Sequence, residues 1–153
     1  MIVVSDTTAL TSLLQVGQIQ LLKALYSEVL IPPAVHSELL AYHDVLPDFV
    51  RVSAPVCTAD LKELEVRLDK GEVEAIALAR ELKADFLIID ERDGRQTADR
   101  LGIRCIGLVG VLLMAKNAGH ISVLENVLDQ LEQVAGFYLS RNVKAEALAV
   151  AGE

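Results

Sequence analysis

The stretch that most constrains the fold is FLIID at residues 86–90, where an unbroken apolar run ends in an aspartate. A strand with one wet face alternates apolar and polar residues, so a run this apolar belongs to a strand covered on both sides. The N-terminal IVVS, residues 2–5, reads the same way and also stops at an aspartate, Asp6. Between and after these runs lie segments with helical spacing, among them EVEAIALARELKA, apolar at Val73, Ile76, Ala77 and Leu82. Strands separated by helices predict an α/β fold with right-handed crossovers: a three-layer α/β/α domain around a parallel sheet of four to five strands. Aromatic residues are only 4% of the chain and Trp is absent, while 52% is hydrophobic, so the core must be aliphatic. A length of 153 residues suits one domain, residues 1–153, with C-terminal helices at about 122–150 packed onto it.

The rest of the chain fills in this frame. Short strands are predicted at Val29–Ile31 and in FVRVS, 49–53. Helices are predicted from about Thr8 to Val16, through QIQLLKALY, and in PAVHSELLAY, where Pro33 suits the first turn and Val35, Leu39 and Tyr42 share a face. TADLKELEVRLDKG reads as a helix with Thr58 as cap and Gly71 as stop. RDGRQTADRLG, LVGVLLMAKNAG, a helix capped by Ser122, and a last one over Ser140–Val150 follow.

Several function classes drop out. No apolar run approaches the roughly 18 residues of a membrane span, and the start lacks the basic n-region and cleavage site of a signal peptide. Cys57 and Cys105 form no CxxC pair, and His36, His43 and His120 are scattered, so neither a zinc site nor a disulfide framework is expected. The cytoplasm is the expected compartment. A net charge of −8 argues against a module that grips nucleic acid through its phosphates alone. It leaves room for an enzyme holding cations among carboxylates, because the cations reverse the local charge.

The carboxylates are distributed suggestively. Ligands of open α/β sheets bind beyond the carboxyl ends of the strands, where strand order reverses. Asp6 and Asp90 each follow an apolar strand, and if those strands are neighbours both project from one edge. Asp93 lies one turn beyond Asp90, Glu38 sits on an otherwise apolar helix, and Glu72 and Glu74 open another helix. Asp6, Glu38, one of Glu72 or Glu74, and Asp90 would make a four-carboxylate cluster of the kind Mg²⁺ or Mn²⁺ takes, with phosphodiester hydrolysis as its chemistry. Each residue also has a plainer role. Asp6 suits a helix cap, Asp90 a turn, and Glu72 or Glu74 a helix-dipole partner, while Arg92 and Arg95 suit a solvated face or a phosphate contact. Thr7 and Thr8 either cap the helix or orient Asp6.

VVSDTTALTSL, IPPAVHSEL, GEVEAIALARELKADFLIIDERDGR and IGLVGVLLMAKNAGHI, in that order, resemble a PIN domain. The branch they resemble comprises bacterial and archaeal proteins related to VapC-type toxins. The resemblance implies a Rossmann-like sheet with the first strand beside the fourth, and a Mg²⁺- or Mn²⁺-dependent ribonuclease. It matches Asp6 to the first acid, Glu38 to the second, Asp90 to the acid after the later strand and Asp93 to an optional further one. Aligning the IALA run puts Glu72 at the third acid, where many such toxins carry Asp, with Glu74 as the fallback. Thr8 would then orient the first acid, and Arg92 or Arg95 would steady the substrate. RNA as substrate, a small antitoxin protein and a homodimer are the implied partners. The alternative is a weak or inactive PIN-like module serving protein–protein interaction. A phosphatase lacks the DxD strand end or cysteine loop it would need.

Overall fold

The computed structural model describes residues 1–153. The chain runs β1 (Val3–Ser5), α1 (Thr7–Gln15), α2 (Gln20–Tyr26), β2 (Val29–Ile31), α3 (Pro33–Leu40) and β3 (Val50–Val52). A 3-10 helix (Ala59–Val66) leads into α4 (Lys70–Leu82), β4 (Phe86–Ile88), α5 (Arg92–Arg100), β5 (Cys105–Ile106), α6 (Leu108–Asn117), α7 (Leu124–Gln133) and α8 (Arg141–Val150). The five strands form one sheet in the order β3-β2-β1-β4-β5, with every pair parallel. This is the α/β architecture that the apolar strands required.

Both faces of the sheet are buried, and the pleat sends neighbouring residues to opposite sides. Val3 and Ile88 pack into a large apolar cluster with α1, α2, α3, α6, α7 and α8. Val4, Leu87 and Ile89 pack into a second cluster with α4 and α5. Leu124, Leu128 and Leu131 of α7 and Ala147 of α8 join the first cluster. Lys144 of α8 ties the two C-terminal helices together by donating to Asp129 and Glu132, each at 2.6 Å. Strand order reverses between β1 and β4, so the crevice at their carboxyl ends is the natural binding position of this sheet. No helix is long and apolar enough to cross a membrane.

Three local expectations are corrected. The segment 58–71 is not one α-helix: it forms the 3-10 helix, and α4 then starts anew at Lys70. Thr58 makes no side-chain cap there, and Gly71 lies inside the first turn of α4 instead of ending a helix. The stronger local signal is Asp69–Glu72, whose D-x-x-E spacing forms a capping box. Tyr42 leaves the buried stripe of Val35 and Leu39 and is 82% exposed. Beyond α3 the chain tightens, with the Tyr42 N–H reaching Leu39 O at 3.1 Å, and this turns the ring away from the core. Ser122 does not cap α7, whose N-cap position is Val123. The Glu153 carboxylate instead accepts from the Leu124 N–H at 2.6 Å and the Glu125 N–H at 3.2 Å, and pairs with Lys116 at 3.1 Å.

Candidate metal centre

Asp6 follows β1 directly, and its backbone N–H donates to Ile88 O at 2.9 Å, locking the strand end to β4. It occupies the N-cap position of α1, yet its side chain makes no capping hydrogen bond. The residue is only 6% exposed. The register pairs Ser5 with Ile88, so Asp6 is level with Ile89 and continues the Val4 face of the sheet, toward α4.

The first turn of α4 brings more acids to this corner. Asp69 accepts from the Glu72 N–H at 2.8 Å, and Glu72 Oε1 accepts from the Asp69 N–H at 3.1 Å. This capping box uses one oxygen of Glu72. The other, Oε2, is buried without a hydrogen-bond partner, and Glu72 as a whole is 5% exposed. Glu38 comes from α3, fixed by the Thr7 hydroxyl, which donates to its Oε2 at 2.5 Å. Two glycines permit this crowding. A Cβ on Gly71 would fall 2.7 Å from Glu38 Oε1, and one on Gly94 would fall 2.8 Å from Glu72 Oε2 and 2.5 Å from Ile89 Cδ1.

The electrostatics follow from burial. Loss of water pushes the Asp6 carboxyl up to about 7; the Thr7 N–H opposes this, and the charges of Asp69, Glu72 and Glu38 add to it. Burial likewise pushes Glu72 up to about 7, against the Asp69 N–H bond and with the Asp69 and Glu91 charges. Burial thus favours the protonated form of both carboxyls relative to an exposed acid.

Asp90 sits at the same sheet edge but on the opposite face. It follows Ile89 and continues the Ile88 side, toward α1 and α6, where its carboxylate accepts from the Leu108 N–H at 3.1 Å. Burial raises its pKa, while the Leu108 N–H and Arg95 lower it. Asp90 and Glu91 line a cleft of about 580 Å³ with Thr7, Thr8, Thr11 and Ser12 of α1. The four-carboxylate cluster anticipated from sequence is therefore divided: Asp6, Glu38 and Glu72 on the α4 face, Asp90 on the α6 face. No group of three metal-ligating side chains converges on one point.

The remaining candidates separate cleanly. Glu74 turns away, accepting from the Ala34 N–H at 3.0 Å at the start of α3. Asp93 is exposed and pairs with Arg67 at 3.5 Å. Thr7, not Thr8, makes the hydrogen bond within the acidic corner, and Thr8 faces the cleft. Arg92 is exposed on the first turn of α5, and Arg95 lies beside Asp90 near Gly107. Asp69 was missed from sequence; its signal was the D-x-x-E capping spacing, masked by treating Gly71 as a helix stop.

A family model described as a PIN domain matches residues 2–153. The chain belongs to the PIN domain family. No curated protein matches it. PIN domains are generally nucleases and typically use divalent metal ions. The residues of this PIN domain fit such an ion by their chemistry: the donors are all carboxylate oxygens, and Glu72 Oε2 is a buried acceptor with nothing to accept from. Asp6 and Glu72 are the buried carboxylates of this corner, and the Glu38 charge acts on Asp6 beside them.

Proposed function

We propose that this PIN domain is a Mg²⁺- or Mn²⁺-dependent ribonuclease that hydrolyses RNA phosphodiester bonds. The observation that carries the reading is the unpartnered, buried Glu72 Oε2 beside the buried, uncapped Asp6. Burying two carboxylates without a counter-charge is costly, and a hard cation offsets that cost. When bound, the ion supplies positive charge against the phosphate and acidifies a water for the attack. Asp6 and Glu72, with Glu38 beside them, would hold it, and Thr7 fixes the Glu38 carboxylate by donating to Oε2. Asp90, restrained by the Leu108 N–H, presents a carboxyl to the cleft from the opposite face. Arg95 beside it, with Arg92 on the same helix, meets substrate phosphate. Thr8 contributes a hydroxyl to the cleft wall.

The test is cleavage of single-stranded RNA with Mn²⁺ by wild type, Asp6→Asn and Asp90→Asn. Both substitutions should abolish cleavage; activity unchanged in both assigns it to another site or another protein.

A second reading, an inactive module for protein association, is favoured by the lack of a three-ligand convergence and by the structural bonds that already engage Asp90, Asp93 and Glu74. Stabilisation by Mn²⁺ that disappears in Asp6→Asn separates the two. The ribonuclease reading extends to a cytoplasmic toxin that forms a homodimer and is neutralised by a small antitoxin protein, supported by the resemblance to VapC-type toxins.

A further inference from the structure

The chain has few aromatic side chains, with three Tyr, three Phe and no Trp. Tyr26 is buried, but Tyr42 and Tyr138 are 82% and 85% exposed, and both line the 580 Å³ cleft that ends on Asp90. They come from separate loops, one after α3 and one between α7 and α8, so a single apolar segment does not account for the pair. Each ring is presented by an anchored backbone. His43, next to Tyr42, shares a hydrogen bond of 2.7 Å between its Nε2 and the Thr11 hydroxyl on the cleft wall. Tyr138 stands between half-buried Phe137, whose N–H donates to Leu131 O at 2.9 Å, and buried Leu139. Tyr138 also borders a second cleft of about 390 Å³ that contains Arg95 and shares Asp90 and Phe137 with the first.

We propose that Tyr42 and Tyr138 are stacking platforms for the bases of single-stranded RNA threaded through these clefts past Asp90, a role that rests on the ribonuclease reading. Each cleft is the size of a small-ligand pocket. Base faces are available to protein rings only in unpaired strands, because a duplex hides them in the stack. The net charge of −8 leaves little general attraction for phosphate, so stacking and the hydroxyls of α1 must supply most of the grip. Binding should accordingly respond weakly to salt, with the small slope of one or two phosphate contacts made by Arg95 and Arg92.

The test is fluorescence anisotropy with a fluorescein-labelled single-stranded RNA octamer and an RNA hairpin stem, in EDTA so that no cleavage occurs. Tyr42→Ala and Tyr138→Ala should each weaken octamer binding roughly tenfold or more. Tyr138→Phe should stay within about twofold of wild type, since the ring face is kept. Both rings are exposed, so the alanine variants fold normally. Octamer affinity unchanged in both alanine variants overturns the proposal, as does a preference for the hairpin or a wild type that binds neither. That last result would return the two rings to a protein-docking surface. With Mn²⁺ added, the alanine variants should raise KM and keep kcat. Cleavage with an unchanged KM removes the stacking role and leaves the nuclease standing. Tyrosine-dependent binding without cleavage does the reverse.

Discussion

Removing the Asp6 charge should stabilise the metal-free protein at neutral and alkaline pH. Asp6 is 6% exposed, and burial pushes its carboxyl from 3.8 to about 7 on folding. Between those values the folded state binds more protons than the unfolded one, so the stability supplied by this group is complete below about pH 4 and is lost as pH climbs to 7. A shift of that size corresponds to about 4 kcal/mol, an upper bound because the charges of Asp69, Glu72 and Glu38 supply part of it. Asp6→Asn keeps the shape and polarity while removing the titration. Urea unfolding followed by circular dichroism in EDTA should therefore show the variant about 2–4 kcal/mol more stable than wild type at pH 8, with the gap closing toward pH 4. Excess Mn²⁺ should reverse the order at pH 8 by stabilising only the wild type. A variant less stable than wild type at pH 8 in EDTA, or a gap independent of pH, would refute the claim that this carboxylate is held at an electrostatic cost.

Other substitutions probe the neighbours. Gly94→Ala places a Cβ 2.5 Å from Ile89 Cδ1 in a filled core, and overpacking of this kind should cost about 1–3 kcal/mol in urea unfolding. Asp69→Ala removes the α4 capping box and should cost about 1 kcal/mol by the same measurement. Thr7→Val leaves the Glu38 carboxylate without its donor, and calorimetry should show weaker Mn²⁺ binding with the fold retained. Asp90→Asn keeps an oxygen for the Leu108 N–H, so its melting temperature should stay near wild type while RNA cleavage falls at least about 10²-fold.

Much of the architecture was legible because a strand buried on both faces cannot disguise itself. FLII and IVVS have no polar alternation, and the structure sets them side by side as β4 and β1. Val29–Ile31 was bounded correctly because Pro32 and Pro33 end the strand on one side. The helix boundaries around 58–71 were less legible. Leu61, Leu64 and Leu68 satisfy a helical period, but the choice between 3-10 and α geometry depends on how the segment packs against α4. Burial of Asp6 and Glu72 was not readable either, since it depends on α3 and α4 closing over the strand end. Nor was the division of the acids. Asp6 and Asp90 look equivalent in sequence, each directly after an apolar run. Only the register, Ser5 opposite Ile88, shows that Asp90 extends one residue further and so leaves the sheet on the other face. Tyr42 fitted the buried stripe until the tightened turn after α3 released it.

Anomalous diffraction from a crystal soaked in Mn²⁺ tests the metal reading most directly. The expected result is a peak in contact with Asp6 and Glu72 Oε2, with Glu38 beside it, absent from Asp6→Asn crystals soaked identically. A wild-type crystal with no peak at this corner at saturating Mn²⁺, or with Mn²⁺ bound only elsewhere on the acidic surface, would contradict it.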